Sequence, residues 1–300
     1  MTMEAKVASN APNRGRPGRW LLKLNAIVTY AFLYIPIIVL VVFSFNASKG
    51  PAIWQGFTLD WYYSLFSGSG VLGLYGQNVE NEAINFQAEG IVLAFRNSLI
   101  VSVSATIIST IIGTMIALAF HRYRFKLKGI WEVILYLPVV IPDITMGISL
   151  LVFFSLLFRL LENWLGIRMA LGFGTIIAAH VAFNISFVAI VVRARLAGMD
   201  RTLEEAAQDL GANEWQTFRR VTLPLIMPGI LGGALLAFTL SLDDFVITFF
   251  TTGVGSSTLP LFVYGMIRFT VTPAINAISS LMLLASMVLV IGSLVLQRQN

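Results

Sequence analysis

Residues 171–192 read LGFGTIIAAHVAFNISFVAIVV and residues 225–249 read LIMPGILGGALLAFTLSLDDFVITF. Between them, residues 193–224 read RARLAGMDRTLEEAAQDLGANEWQTFRRVTLP. Each flanking stretch exceeds the roughly 20 apolar residues needed to cross a bilayer core, while the segment between them holds the densest mixture of charge in the chain. The same alternation runs through the whole sequence. Of the 300 residues 57% are hydrophobic and only 12% charged, more apolar surface than a water-soluble globule of this length hides. The chain is therefore an all-α membrane protein, and the lipid bilayer is its main solvent. Cysteine is absent, which removes disulfides and thiolate metal sites. The net charge of +5 is scattered between apolar segments without forming a face, which argues against nucleic acid as a partner.

Six spans are predicted, at about residues 26–45, 97–120, 133–158, 171–192, 225–249 and 274–296, forming a transmembrane domain over 26–296. A tail at 1–25, a loop at 193–224 and residues 297–300 complete the organisation. No cleavable signal peptide is evident, because the basic, polar N-terminus runs directly into a segment too long for a signal core. Placing both termini in the cytoplasm puts 15 of the 20 basic residues inside, leaving Lys49, Arg96, Arg159, Arg168 and Arg268 outside, as the positive-inside rule favours. The first outer connection is long. Thr58 ahead of Asp60 and Trp61 predicts a capped interfacial helix there, and residues 68–90 add a polar insertion.

The loop at 193–224 reads as folded. Thr202 with Glu205 three residues on fits a capping box, Leu203, Ala206, Ala207 and Leu210 share one helical face, and Gly211 suits a left-handed C-terminal cap. Asn213 caps a second short helix through Trp215 and Phe218, and Leu223-Pro224 enters the next span. A helix lying on the inner lipid surface would carry a basic polar face. Here that face holds Glu204, Glu205 and Asp209, so the pattern favours a docking element whose small alanines admit close approach by another protein.

Glu205-Ala206-Ala207, Gly211, Val221 and Leu223-Pro224, at these spacings, resemble the signature loop of bacterial ABC importer permeases. The likeness extends from about Tyr30 to Leu296 and is nearest to permeases of the spermidine/putrescine type. It includes Leu33 to Ile38 with Ser44-Phe45-Asn46, Trp54 to Phe57 before Trp61-Tyr62, Pro142-Asp143-Ile144, and Phe238 to Asp244. The resemblance implies a type I, MetI-like permease fold with a cytoplasmic coupling helix near Leu203 to Leu210. It implies residence in the bacterial inner membrane, a homologous second permease subunit, two ATP-binding subunits and an extracytoplasmic solute-binding protein. This chain has no Gly-rich Lys-Ser/Thr phosphate loop, so it needs no cofactor of its own, and ATP with Mg falls to the partner subunits. The first outer loop departs from the family in its length.

Carboxylates within spans are costly and face cavities or partners. Asp143 follows Pro142, which breaks its helix, and Asp243 and Asp244 adjoin Phe245 and Phe249. The functional reading is a set of weak stations for an organic cation such as a polyamine. The structural reading is that Asp143 accepts hydrogen bonds at a helix break and that one of the pair at 243–244 faces water or pairs with an Arg of a neighbouring helix. His180, four residues before Asn184, reads as a hydrogen-bonded packing residue, since no second ligand stands at metal-binding spacing. Small residues such as Ser102, Ser109, Gly113, Ser279, Ser280 and Gly292 suit close helix contact. Other expectations are a permease for a different small amino or amino-acid-like solute, and an intramembrane aspartyl hydrolase using Asp143 with Asp243 or Asp244. A secondary transporter would show inverted repeats, and none is visible.

Overall fold

The computed structural model describes residues 16–48, 53–67, 82–200, 202–267 and 273–298. Twelve helices are named among them: α1 (Arg16–Phe43), α2 (Asp60–Ser67), α3 (Glu82–Arg122), α4 (Lys128–Val140), α5 (Asp143–Leu165), α6 (Phe173–Ala197), α7 (Thr202–Asp209), α8 (Glu214–Thr217), α9 (Leu223–Leu242), α10 (Val246–Thr251), α11 (Leu259–Ile267) and α12 (Pro273–Arg298). Five segments are long and apolar enough to cross a bilayer: Trp20–Phe43, Gly90–Arg122, Asp143–Leu165, Phe173–Ala197 and Glu214–Leu242. The sixth expected span corresponds to α12, whose described apolar part is Ile275–Val288. Outer faces such as that of α1, where Phe32 and Val28 lie open, suit contact with lipid.

Two expected spans are interrupted. The segment at 133–158 is two helices, because Pro142 has no amide hydrogen and forces Ile141 into an extended conformation (φ −70°, ψ 132°). Asp143 is consequently the first residue of α5 and is exposed, rather than lying near the middle of a span. The segment at 225–249 ends its first helix at Leu242 and restarts at Val246 as α10. Two further differences concern the connections that follow α2 and α10. Helix α3 begins at Glu82, so residues 82–90 of the expected polar insertion are helical, whereas 68–81 lie outside the described residues. Helix α11, between α10 and α12, is too short to register as a span.

The turn after α1 is built on Asn46. Its side chain donates to Ile53 O (2.9 Å) and accepts from Gln55 N (2.9 Å), and its carbonyl accepts from Trp61 Nε1 (2.8 Å). Thr58 Oγ1 accepts from Asp60 N (3.1 Å) at the start of α2.

Helices α3, α6 and α9 form the centre of the bundle. Their small residues let the backbones approach. A Cβ on Gly113 of α3 would stand 2.9 Å from the Cβ of Val188 on α6, and one on Gly233 of α9 would stand 3.3 Å from the same residue's Cα. Val188 is fully buried between them, with Ala117, Ala189, Val192, Ile226 and Ala237 around it. Without a hydrophobic drive between helices in lipid, such close contact supplies the packing energy. Gly113→Ala places its methyl 2.9 Å from Val188 and 3.0 Å from Ile185 O. It is expected to cost about 1–3 kcal/mol, read as a lowered thermal unfolding temperature in detergent. Gly129→Ala, whose Cβ meets open space, is the control expected to leave that temperature unreduced.

Candidate functional site

The loop after α6 is folded by its own caps. Asp200 Oδ1 accepts from Thr202 N (3.0 Å), so α7 is capped by Asp200, two residues ahead of the Thr202–Glu205 box that the spacing predicts. At the other end Gly211 adopts φ +88°. Its N–H donates to Gln208 O (2.9 Å) and that of Ala212 to Ala207 O (3.0 Å), the paired bonds of a Schellman stop. Asn213 caps α8 reciprocally: its Oδ1 accepts from Gln216 N (2.8 Å) and Gln216 Oε1 accepts from Asn213 N (3.0 Å). Helix α8 then passes through a π-helical turn at Phe218–Thr222 into α9, giving one apolar rod over Glu214–Leu242.

Helix α7 is turned inside out. Leu210 is 90% exposed and Leu203 48%, and Glu205 and Ala206 are also open while Ala207 is half-buried. Trp215 adds an exposed indole beside them (66%). The inward residue is a charge. Arg122 Nη2, at the end of α3, donates to Glu204 Oε1 (2.7 Å) and to Thr222 Oγ1 (3.3 Å), and Thr222 Oγ1 donates to the same Glu204 oxygen. Leu223, the residue after Thr222, and Pro224 begin α9, so Glu204 joins α7 to the roots of α3 and α9 together. An open polar cleft of about 310 Å³ lies beside this contact, walled by Arg122, Tyr123, Glu205, Gln208, Glu214 and Thr217. Burial is the largest influence on the Glu204 carboxyl and pushes it up. The hydrogen bonds from Thr222 and Arg122, with the charges of Arg122 and His121, outweigh it and hold the group below the ordinary glutamate range.

The intramembrane acids part company. Asp244 Oδ2 accepts from Thr248 N (2.8 Å) and Thr248 Oγ1 (2.9 Å), and Oδ1 accepts from Ile247 N (3.3 Å), so this carboxylate caps α10. The same Oδ2 lies 3.3 Å from His180 Nε2, which is itself 3.0 Å from Thr248 Oγ1. His180 is fully buried and ties α10 to α6, and Asn184 one turn on donates to Ser241 Oγ (2.7 Å). Asp243 points elsewhere. It is exposed and lines a cavity of about 860 Å³ with Tyr34, Ile37, Pro260, Val263 and Met282. The Phe245 ring lies tilted against those of Tyr264 (4.7 Å between centroids) and Phe249 (5.8 Å). Asp143 is not among the residues lining that cavity; it lies one turn before Gly147, which packs against Phe250. A hydrolase would need two acids facing one another, and the three candidates are divided between a capping site, a cavity and a separate helix start. Among the described residues no cluster of three or more His, Cys, Asp or Glu side chains is arranged to hold a metal.

Arg122, Thr222 and the Asp244–His180 contact were not singled out by sequence. Asp244 and Thr248 do carry a local signal, the four-residue spacing of a capping carboxylate and its amide.

Residues 109–299 match the family described as binding-protein-dependent transport system inner membrane component. The chain is 39% identical over 271 residues to the spermidine/putrescine transport system permease protein PotC of Escherichia coli, covering 90% of this chain and 91% of that one. It is 37% identical over 276 residues to the putrescine transport system permease protein PotI of the same species, covering 92% and 89%. Among solved structures, a bacterial ABC transporter that imports the acidic polysaccharide alginate superposes with a TM-score of 0.67 at 19% identity over 93% of this chain and 94% of that one. A bacterial alginate ABC transporter in complex with an alginate pentasaccharide-bound periplasmic protein gives 0.63 at 21% identity, covering 92% of each. At that identity the likeness carries the fold.

Glu204→Gln or Arg122→Gln is expected to loosen α7 by about 1 kcal/mol, roughly fivefold faster amide exchange over residues 202–209. Exchanging the two charges, Arg122→Glu with Glu204→Arg, should recover part of the loss. Because the Glu204 carboxyl is lowered on folding, its contribution is intact above the ordinary glutamate range and is lost as the pH falls through the folded value. The wild-type exchange profile should therefore steepen in acid, and that of Glu204→Gln should not.

Proposed function

Because this chain belongs to the family of binding-protein-dependent transport system inner membrane components, we propose that it forms half of the translocation pathway of an ATP-driven importer for spermidine, putrescine or a related organic cation. It is a multi-pass permease of the inner membrane, a transport subunit rather than a catalytic chain. On this reading both termini face the cytoplasm, as the distribution of basic residues favours. A homologous second permease supplies the other half of the path, and an extracytoplasmic protein delivers the solute. Two ATP-binding subunits hold ATP and Mg.

One observation carries the drive mechanism: the capped helix α7 presents Leu203 and Leu210 outward while its Glu204 is turned in. A charged loop with leucines on the outside is suited to a groove on another protein, and Glu205, Ala206 and Ala207 leave room for close approach. Closure of the ATP-binding subunits then displaces α7, and Glu204 carries the displacement to α3 through Arg122 and to α9 through Thr222. The rod from Glu214 to Leu242 leads from there to the break at Asp243. Alternating access follows from reorienting these helices about their packed centre.

The polyamine assignment is supported by the names of the two Escherichia coli relatives. It is also supported by the chemistry around the break, where Asp243 faces a cavity that Tyr34 also lines. A carboxylate with an aromatic ring gives an ammonium group a transient station. Asp244, committed to α10 and His180, belongs to positioning. A different amino solute would use the same drive, and the relatives' names favour the polyamine.

Leu210→Asp should lower substrate-stimulated ATP hydrolysis in the reconstituted complex by about tenfold or more, the effect of burying one unmatched charge in a docked interface. Unchanged coupling in both Leu210→Asp and Glu205→Ala would remove α7 as the docking element. Asp243→Asn should weaken polyamine uptake with assembly intact, whereas Asp244→Asn should show first as reduced thermal stability. Uptake at wild-type level in Asp243→Asn would take that residue out of the path.

A further inference from the structure

At the ends of α3, α4 and α6 on the loop side lies another cavity, of about 470 Å³, which shares only His121 with the polar cleft beside Glu204. Its chemistry is cationic and aromatic. Arg193 of α6 enters it with Nη2 bonded to Glu132 Oε1 (2.8 Å) and its guanidinium over the rings of Phe120 (5.6 Å) and Tyr136 (6.0 Å). The other terminal nitrogen, Nη1, is buried with no acceptor. Lys128 stands on the same wall, its Nζ donating to Phe120 O and to Tyr123 O (3.4 Å). Two cations thus face one carboxylate, and one guanidinium N–H lacks the acceptor that burial demands.

We propose that this cavity binds the phosphate of an anionic phospholipid of the inner leaflet. A planar guanidinium is the side chain best matched to phosphate oxygens; Arg193 lines the cavity, a small turn of its side chain would bring the unmatched Nη1 to a bound phosphate, and Lys128 adds a second positive charge. The volume is far more than the approximately 30 Å³ that one water occupies. The place fits as well: with the termini inside, the cavity lies at the cytoplasmic interface, where anionic headgroups collect and basic pockets between helices receive them. Trp131, Val133 and Ile134 of α4 are exposed beside it, offering an apolar flank for the acyl chains. The site is remote in kind from any polyamine station, since its surplus charge repels a cation. The inference rests on the orientation in the importer reading, and its test involves no transport.

The test uses the intact complex, exchanged into bilayers of phosphatidylcholine with a minor fraction of phosphatidylglycerol, with retained lipid counted by native mass spectrometry. Wild type should hold phosphatidylglycerol selectively. Arg193→Gln should lower that retention by about tenfold, the loss of one charge-assisted contact. Glu132→Gln frees the guanidinium from its carboxylate and should raise retention, a change of sign that a folding defect does not produce. Lys128→Gln should lower it less than Arg193→Gln. Equal retention in wild type and Arg193→Gln overturns the proposal. So does displacement of the lipid by millimolar inorganic phosphate, which marks a free-anion site, or release of the second permease by Arg193→Gln, which marks a subunit contact. Co-purification of partner subunits with wild type is scored separately, so a failure of the importer reading is distinguishable from a failure of the lipid site.

Discussion

Val188 touches the backbone of two other helices at once, and the rest of the bundle is arranged around that contact. Gly113 and Gly233 leave no side chain between it and α3 or α9, which brings three long helices into direct register. In lipid, where leucine against leucine gains nothing over leucine against acyl chain, surface fit of this kind is what distinguishes the assembled bundle from separate helices. The peripheral helix α1 can remain open along its length because the core does not draw on it.

The break at Asp243 and Asp244 needs repair, since backbone donors freed inside a membrane have no water to turn to. Asp244 supplies the repair by accepting from Ile247 and Thr248, and His180 supports the charge from α6. With one carboxylate committed to holding the break, the other is left to face the Tyr34-lined cavity. Adjacent acids thereby come to sit in different surroundings.

The lipid-facing character of the chain was legible because hydropathy reports solvent, and solvent here is the dominant constraint. The caps at Gly211 and Asn213 were legible because they are local, each closed within four or five residues. The interruption after Leu242 was not: it contains neither proline nor glycine, and it depends on a carboxylate finding amides ahead of it and a histidine 64 positions earlier in the chain. Nor was the direction of Glu204, which is decided by Arg122, distant in sequence and brought near by the packing of α3 on α9. The spacing puts Leu203, Ala206, Ala207 and Leu210 on one face, but only the fold shows that Leu203, Ala206 and Leu210 look away from the chain while Ala207 is half-buried. Helix α11 escaped because nine residues are too few to announce a span.

The outward leucines of α7 have a bearing on the life of the chain before it meets any partner. A copy made in excess displays Leu203, Leu210 and Trp215 on a charged loop, a small sticky patch of the kind that invites association. Anything that covers α7 therefore also removes these three side chains from water, a gain that does not depend on what the covering surface does next.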